Sequence, residues 1–258
     1  MFLSEKISLH EKYSRIISLV PSQTELLSYL GLEEEVVGIT KFCVHPDRWY
    51  RNKPRIGGTK KINLNTIQNL SPDLIIANKE ENVKDQIEAL AEKYDVWITD
   101  VNNLSDALTM ISNIGKLVKK QDEANNLSGE IKAGFETLKK EFHPKRKIPA
   151  AYFIWQKPYM VAGGDTFIND MMGYCGLKNV FADRKRYPAI TLDEIKEKNT
   201  ELILLSSEPY PFKETHKKEI QKYLPGIQVK LTDGEMFSWY GSRLLKSVDY
   251  FHSFLNIL

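Results

Sequence analysis

The stretch INLNTIQNLSPDLIIA, residues 62–77, decides the fold because a related stretch returns later in the chain. Residues 190–205 read ITLDEIKEKNTELILL, and an offset of 128 positions aligns the apolar residues of the two copies and pairs Asp73 with Glu201. Each copy predicts a short helix, a turn and a strand that is apolar on both faces. Such strands are typical of parallel sheets that are covered by helices on both sides.

A second repeated pair follows the first. Residues 87–100 read IEALAEKYDVWITD and residues 220–233 read IQKYLPGIQVKLTD, with an offset of 133 positions. Both copies predict a helix that leads into a strand. Two collinear matches at nearly one offset indicate two α/β halves of common origin.

The first elements of the halves also correspond. Residues 15–20 predict a strand, and residues 22–25, SQTE, predict a capping box that opens a helix. In the second half, residues 150–155 predict a strand and residues 166–174 a helix. Each half therefore begins with a strand followed by a helix.

A helical segment separates the halves. Between Leu104 and Phe142 the apolar residues recur in steps of three and four, which predicts one long helix or two collinear helices. The predicted fold class is α/β: two Rossmann-like lobes with parallel sheets, joined by a long backbone helix, with a cleft between the lobes. The predicted boundaries are 1–102 for the N-terminal lobe, 103–143 for the linking helix and 144–258 for the C-terminal lobe.

The charge balance argues against a nucleic-acid partner. Lys and Arg total 36 and Asp and Glu total 34, which gives a net charge of +2 without a concentrated basic face. One basic cluster is interpreted as a solvated helix end: Lys139, Lys140, Lys145, Arg146 and Lys147. Cys43 and Cys175 are compatible with free core thiols or with a single bridge.

The beginning of the chain lacks the features of an export signal. Residues 1–22 contain no long apolar run, no small-residue cleavage site and no cysteine that accepts a lipid. No segment approaches the ~20 apolar residues of a membrane span. As written, the chain is expected in the cytoplasm.

The strongest local signal for a ligand site is GEMFSWYGSR, residues 234–243. Its aromatic side chains offer flat faces to a planar ligand, and Arg243 can bind carboxylate or phosphate with two hydrogen bonds. In the alternative interpretation, Phe237 and Trp239 belong to the core.

Other candidates follow predicted strands, where ligands of open α/β sheets bind. Trp155 lies at the end of a strand, and residues 21–23 lie at a helix N-terminus, where a cap is the alternative. Lys60 follows a Gly-Gly turn and can reach an acidic group. The full set of candidate ligand-binding residues is Pro21, Ser22, Gln23, Thr59, Lys60, Trp155, Tyr159, Tyr187, Phe237, Ser238, Trp239, Tyr240 and Arg243.

No catalytic motif accompanies these residues. The chain has no G-x-S-x-G elbow, no P-loop, no H-E-x-x-H and no G-x-G-x-x-G after a strand. His45 has no second histidine nearby, so a dedicated metal site is not supported. The sequence therefore predicts a binding protein that is no enzyme and has neither an intrinsic cofactor nor a metal site.

Three motifs carry a family resemblance over nearly the whole chain. They are RIISLVPSQTELLSYLGLEEEVVGIT, RIGGTKKINLNTIQNLSPDLIIA and GGDTFINDMMGYCGLKNVFAD. These resemble the cobalamin and ferric-siderophore receptors of ABC importers, the helical-backbone (class III) substrate-binding proteins, and most closely the cobalamin-binding branch. Asn78 stands where cobalamin binders of that family carry an aromatic residue.

The resemblance implies a monomer that binds cobalamin or a related corrinoid and docks on an ABC permease in the periplasm. The acids nearest to the family's docking positions are Asp85 and Glu235. Two alternatives stay open. One is a haem or ferric-siderophore binder, and the other is a cytosolic chelatase-like enzyme acting on tetrapyrroles or corrinoids. The iron ligands available to the first alternative are Tyr159, Tyr187, Tyr240 and His45.

Overall fold

Apolar strands alternate with helices along most of the chain, and their contacts divide it into two units. The computed structural model describes residues 13–141 and 146–255. The N-terminal unit holds described residues 13–101, 106–130 and 240–243, and the C-terminal unit holds 102–105, 131–141, 146–239 and 244–255. Predictions for the first 12 residues, for Phe142 and Lys145, and for the lobe boundary after residue 143 lie outside the described residues.

The N-terminal unit contains a four-stranded parallel sheet in the order β2-β1-β3-β4. Its β3 is buried along its whole length, as the apolar run Leu74–Ala77 favours. The elements of this unit are β1 (Ile16–Ser18), α1 (Pro21–Tyr29), β2 (Val36–Ile39), α2 (Asp47–Asn52), α3 (Leu64–Leu70), β3 (Leu74–Asn78), α4 (Lys84–Ala91) and β4 (Asp95–Thr99).

Two helices connect the sheets, α5 (Leu104–Leu117) and α6 (Gln121–Glu141). The prediction of one helix or two collinear helices is wrong. Lys119 adopts a left-handed conformation with φ 58°, and the helix is interrupted there. A Cβ placed on Gly115 would lie 2.3 Å from the Cβ of Ala124, so only glycine permits this close approach of the two helices.

The C-terminal unit contains a six-stranded sheet. The prediction of a purely parallel sheet is wrong here, because β6 pairs antiparallel with both β5 and β8. Lys157, at φ 65°, lies in the turn that reverses β5 into β6. The elements are β5 (Ile148–Trp155), β6 (Tyr159–Val161), α7 (Phe167–Tyr174), β7 (Leu177–Asn179), β8 (Ala189–Ile190), α8 (Leu192–Glu197), β9 (Leu202–Ser206), α9 (Glu214–Tyr223), β10 (Gln228–Thr232), α10 (Gly234–Ser238) and α11 (Leu244–Leu255).

The predicted internal repeat is present in the structure. Ser71 and Asn199, which the 128-residue offset aligns, both adopt a left-handed conformation between helix and strand, with φ of 43° and 51°. The aligned acids also act alike. Asp73 accepts hydrogen bonds from the backbone before β1, and Glu201 pairs with Arg146 before β5. The α/β fold with two lobes is therefore confirmed.

Both cysteines are buried free thiols. Burial raises the pKa of the Cys43 thiol and of the Cys175 thiol, so neither is activated as a nucleophile.

Among the described helices, none is both long and apolar enough to cross a membrane.

Candidate functional site

Buried polar side chains fill the edge of the N-terminal sheet where the carboxyl ends of its strands meet. The Nε2 atom of Gln23, on α1, donates to Thr99 Oγ1. The Nδ2 atom of Asn78 donates to the same oxygen at 3.1 Å. All three side chains are buried, and Gln23 Oε1 has no hydrogen-bond partner within the described part of the chain. This network orients Gln23 and leaves its carbonyl group without a protein donor.

Asn78 also fixes the loop that follows β3. Its Oδ1 atom accepts hydrogen bonds from the backbone of Glu80 at 2.8 Å and of Glu81 at 3.1 Å. Asn82 closes the loop, because its Oδ1 atom accepts from the Asn78 backbone at 2.9 Å and its Nδ2 atom donates to the Thr59 carbonyl at 3.1 Å. Asn78 therefore shapes the loop after β3.

The first turn of α1 differs from its prediction. The helix begins at Pro21 after Val20, and no side chain caps it, so the predicted capping box is wrong. Ser22 and Gln23 are buried within this turn. The acid of the predicted box, Glu25, instead binds Arg243 with two hydrogen bonds of 2.8 Å.

Arg243 is therefore engaged by the protein itself. Its side chain is 5% exposed and that of Glu25 is 14% exposed, so the ion pair is largely removed from water. The prediction that Arg243 binds a ligand carboxylate does not agree with this geometry, because the carboxylate of Glu25 already occupies its fork. Tyr240, three residues earlier, is also buried.

Thr59 and Lys60 lie close to the same loop of the N-terminal unit. Thr59 is buried, and its carbonyl is the one that Asn82 contacts. Lys60 is exposed, and its ammonium donates to the carbonyl of Glu80 at 2.6 Å. The Lys60 side chain thus lies over the loop after β3 with its charge still accessible to water.

An aromatic cluster marks the carboxyl ends of β5 and β9 in the C-terminal unit. Trp155 ends β5 and is 41% exposed, and its ring meets Tyr210 edge to face with 5.6 Å between centroids. Tyr159, on β6, packs edge to face on Phe153 at 5.5 Å. Tyr187 is half-buried in the segment before β8. Of the predicted aromatic residues, Trp155 offers the most accessible face.

The segment after β10 is largely buried, which favours the alternative interpretation of Phe237 and Trp239 as core residues. Phe237 is fully buried and packs against Tyr152 at 5.1 Å and against Phe251 at 4.7 Å. Trp239 is 6% exposed, and its Nε1 atom donates to Glu208 Oε1 at 2.7 Å. Ser238 donates to the same oxygen at 2.7 Å. Phe237 therefore stabilises the unit, and Ser238 and Trp239 are held by Glu208.

Glu208 is a half-buried residue, and its carboxyl group has a raised pKa. Desolvation raises the pKa of Glu208 and outweighs the hydrogen bonds from Ser238 and Trp239, which lower it, while Glu235 and Asp233 raise it further. Because the folded state holds this proton more tightly than the unfolded chain, the resulting stability is present at low pH. It is lost as the pH rises through the raised pKa.

Glu208→Gln is expected to remove this pH dependence, since the amide keeps an acceptor for Ser238 and Trp239 and does not ionise. The free energy of unfolding of the variant, relative to the parent, should therefore increase as the pH rises above the ordinary glutamate range. Chemical denaturation at a series of pH values measures the difference. Glu201→Gln is the control: because Arg146 lowers the pKa of Glu201, its relative free energy of unfolding should instead decrease as the pH rises, and only below the ordinary glutamate range. Parallel profiles for parent and Glu208→Gln would contradict the assignment.

Gly234 is required at the start of α10 because the chain approaches Glu208 closely there. A Cβ at this position would lie 2.4 Å from Ser206 Oγ and 2.6 Å from Glu208 Cγ. Gly234→Ala is expected to lower the free energy of unfolding by about 1–3 kcal/mol, the usual cost of overpacking. Gly129→Ala on α6 is the matched control, since no atom of the described residues beyond the adjacent helix backbone lies within 4 Å of its added Cβ. Equal unfolding midpoints for the two variants would contradict this prediction, because they would show that the segment around Glu208 shifts to accommodate the added methyl group.

The remaining candidates are dispersed. Asp85 is exposed in the first turn of α4, whereas Glu235 is half-buried in α10. His45 is half-buried in the loop before α2. In residues 13–141 and 146–255, no group of three or more His, Cys, Asp or Glu side chains is placed to hold a metal ion.

Residues that the sequence interpretation did not select include Asn82, Thr99, Glu208, Tyr210 and His216. One signal was available for three of them. The run EPYPFKETH, residues 208–216, comes after β9. The run WQKPY, residues 155–159, begins at the last residue of β5. Both runs therefore place aromatic residues at the same edge of the sheet. Asn82 and Thr99 act through contacts between distant residues and left no local pattern.

Comparisons with known proteins agree with this architecture. A vitamin B12-binding protein of Vibrio campbellii is 23% identical over 194 residues, covering 74% of this chain and 70% of the relative. An uncharacterized ABC transporter substrate-binding lipoprotein of Bacillus subtilis is 24% identical over 258 residues, covering 95% of this chain and 81% of the relative.

Among solved structures, the periplasmic vitamin B12-binding protein of Vibrio cholerae matches with a TM-score of 0.80 at 20% identity, covering 95% of this chain and 97% of that chain. This likeness shows the shared fold. The family model described as periplasmic binding protein matches residues 16–226, which is most of the chain. The chain therefore belongs to the periplasmic binding protein family.

Proposed function

We propose that this chain is the substrate-binding component of an ABC-type uptake system and that it binds cobalamin or a related corrinoid without converting it. The observation that carries the proposal is the accessible indole of Trp155 at the carboxyl edge of the C-terminal sheet. Ligands of open α/β sheets bind at this edge, and a flat conjugated chelate gains from an aromatic wall. The name of the Vibrio campbellii relative supports cobalamin, and that of the Bacillus subtilis relative supports an ABC transporter.

Each unit carries its own residues proposed to contact a ligand. In the C-terminal unit they are Trp155, Tyr159 and Tyr187. In the N-terminal unit they are the first turn of α1, residues 21–23, together with Thr59 and Lys60. Phe237 and Arg243 are left out of this set, because one belongs to the core and the other is bound by Glu25. Asp85 and Glu235 stay the proposed docking acids for a permease, and the family role would place the protein in the periplasm.

The test is a titration with cyanocobalamin followed by quenching of tryptophan fluorescence. The parent protein is expected to show saturable quenching at micromolar ligand. Trp155→Ala should weaken binding by about tenfold or more, since a desolvated aromatic contact is worth 1–3 kcal/mol. Tyr223→Ala is the matched control, because Tyr223 is an exposed aromatic of the same unit at 48% exposure, on α9.

Three outcomes would count against the proposal. Absence of saturable binding by the parent protein would exclude cobalamin as the ligand. A shifted Soret band with hemin, in a protein that does not bind cyanocobalamin, would replace the corrinoid by haem. Equal losses in Trp155→Ala and Tyr223→Ala would remove Trp155 from the site.

A further inference from the structure

A directed chain of hydrogen bonds lies behind the exposed tryptophan of the C-terminal unit. The backbone N–H of Lys213 donates to Nδ1 of His216 at 2.9 Å. Because a backbone N–H only donates, this ring nitrogen carries no proton, and the hydrogen of the neutral imidazole is on Nε2. His216 Nε2 lies 3.1 Å from the hydroxyl of Tyr210 and therefore donates to it.

The chain continues from Tyr210 toward the end of β5. The hydroxyl of Tyr210 accepts from His216 and keeps its own hydrogen for Gln156, whose Oε1 atom lies 2.8 Å away. Gln156 is the residue after Trp155, so the chain ends beside the indole. All three bonds run in one direction, which leaves the Tyr210 hydroxyl a single orientation.

Ring packing and a backbone hydrogen bond also fix the position of Tyr210. Tyr210 meets Phe212 at 4.8 Å between centroids, and Phe212 is buried in the core of the unit. The backbone N–H of Tyr210 donates to the carbonyl of Ile154 at 3.3 Å, one residue before Trp155. Tyr210 is thus attached to β5 by its backbone and to Gln156 by its hydroxyl.

We infer that Tyr210 and His216 are positioning residues that hold the Trp155 indole as a fixed wall of the ligand site. The rings of Trp155 and Tyr210 meet edge to face at an interplanar angle of 69°. Tyr210 therefore covers one side of the indole, and Trp155 remains exposed to water elsewhere. A preformed wall costs less conformational entropy on binding than one that must be ordered by the ligand. This inference rests on the proposed function, since it assigns Trp155 to the ligand site.

The first measurement needs no ligand. The chain has four tryptophans, so incorporation of 5-fluorotryptophan gives four fluorine resonances, and Trp155→Phe assigns that of Trp155. Tyr210→Phe and His216→Asn are expected to shift or broaden the Trp155 resonance and to leave the other three unchanged. Asparagine can still accept from Lys213 and is too short to reach Tyr210. His216→Gln, which can reach Tyr210 with a side-chain N–H, should restore the parent spectrum.

The second measurement is the dissociation constant for cyanocobalamin. Tyr210→Phe and His216→Asn should raise it about threefold to tenfold, the effect of losing one hydrogen bond, and His216→Gln should restore it. Tyr223→Phe is the control, because it removes a hydroxyl that donates to Asp193 elsewhere in the unit.

The outcomes separate this inference from the proposed function. An unchanged Trp155 resonance in both variants overturns the inference whether or not cyanocobalamin binds. A changed resonance with an unchanged dissociation constant also overturns it, because the wall would then not matter for binding. Failure of the parent protein to bind cyanocobalamin refutes the proposed function, and the fluorine spectra then decide the positioning roles alone.

Discussion

Arg243→Met is expected to lower the free energy of unfolding by about 3–5 kcal/mol, the usual cost of leaving a buried charge without its partner. The guanidinium donates to both oxygens of Glu25 at 2.8 Å, and its side chain is only 5% exposed. Methionine matches the length of the arginine stem and gives the Glu25 carboxylate no hydrogen bond. Chemical denaturation measures the loss.

The chain offers a matched control for this ion pair. Arg146 also binds Glu201 with two hydrogen bonds, of 2.7 Å each and through its two terminal nitrogens, but the side chains are 67% and 44% exposed. Arg146→Met should therefore change the stability much less, because water screens the pair. A double variant, Arg243→Met with Glu25→Leu, should recover part of the loss. Equal losses at Arg243 and Arg146 would contradict the buried character of the first pair.

Phe237→Ala is expected to lower the free energy of unfolding by about 3–5 kcal/mol, the range for removing a buried phenylalanine. The ring is fully buried and packs on Tyr152, Phe251 and Phe254 in the C-terminal unit. Alanine leaves a cavity among these rings. Chemical denaturation gives the stability.

The same variant tests whether the side chain of Phe237 contacts the ligand. At a temperature where Phe237→Ala remains folded, its affinity for cyanocobalamin should be close to that of the parent protein. Tyr223→Ala, which removes an exposed aromatic ring, should leave both the stability and the affinity nearly unchanged. A small loss of stability with a large loss of affinity would return Phe237 to the ligand-contacting set.

The fold was predictable because its determinants are local and repeated. Residues 62–77 carry an apolar strand and a turn within one short window, and the copy at 190–205 carries the same signals. The antiparallel strand β6 was missed, since three residues, Tyr159–Val161, are too few to show a period. The break at Lys119 was not predicted because apolar steps of three and four occur on both sides of it, up to Val118 and again from Leu127.

The site was less predictable because its determinants are pairs of distant residues. Arg243 and Glu25 are separated by 218 positions, and no local pattern indicates that one neutralises the other. Phe237 and Trp155 are both aromatic residues near strand ends, yet one is fully buried and the other is 41% exposed. Whether a side chain is buried depends on its packing in three dimensions, and the neighbouring sequence does not show this.

Native mass spectrometry of the protein with equimolar cyanocobalamin and hemin tests the central claim most directly. The predicted spectrum shows the chain with one cyanocobalamin bound at micromolar concentration, and Trp155→Ala shows the unbound chain under the same conditions. A parent chain that carries hemin, or that carries neither compound, would contradict the account.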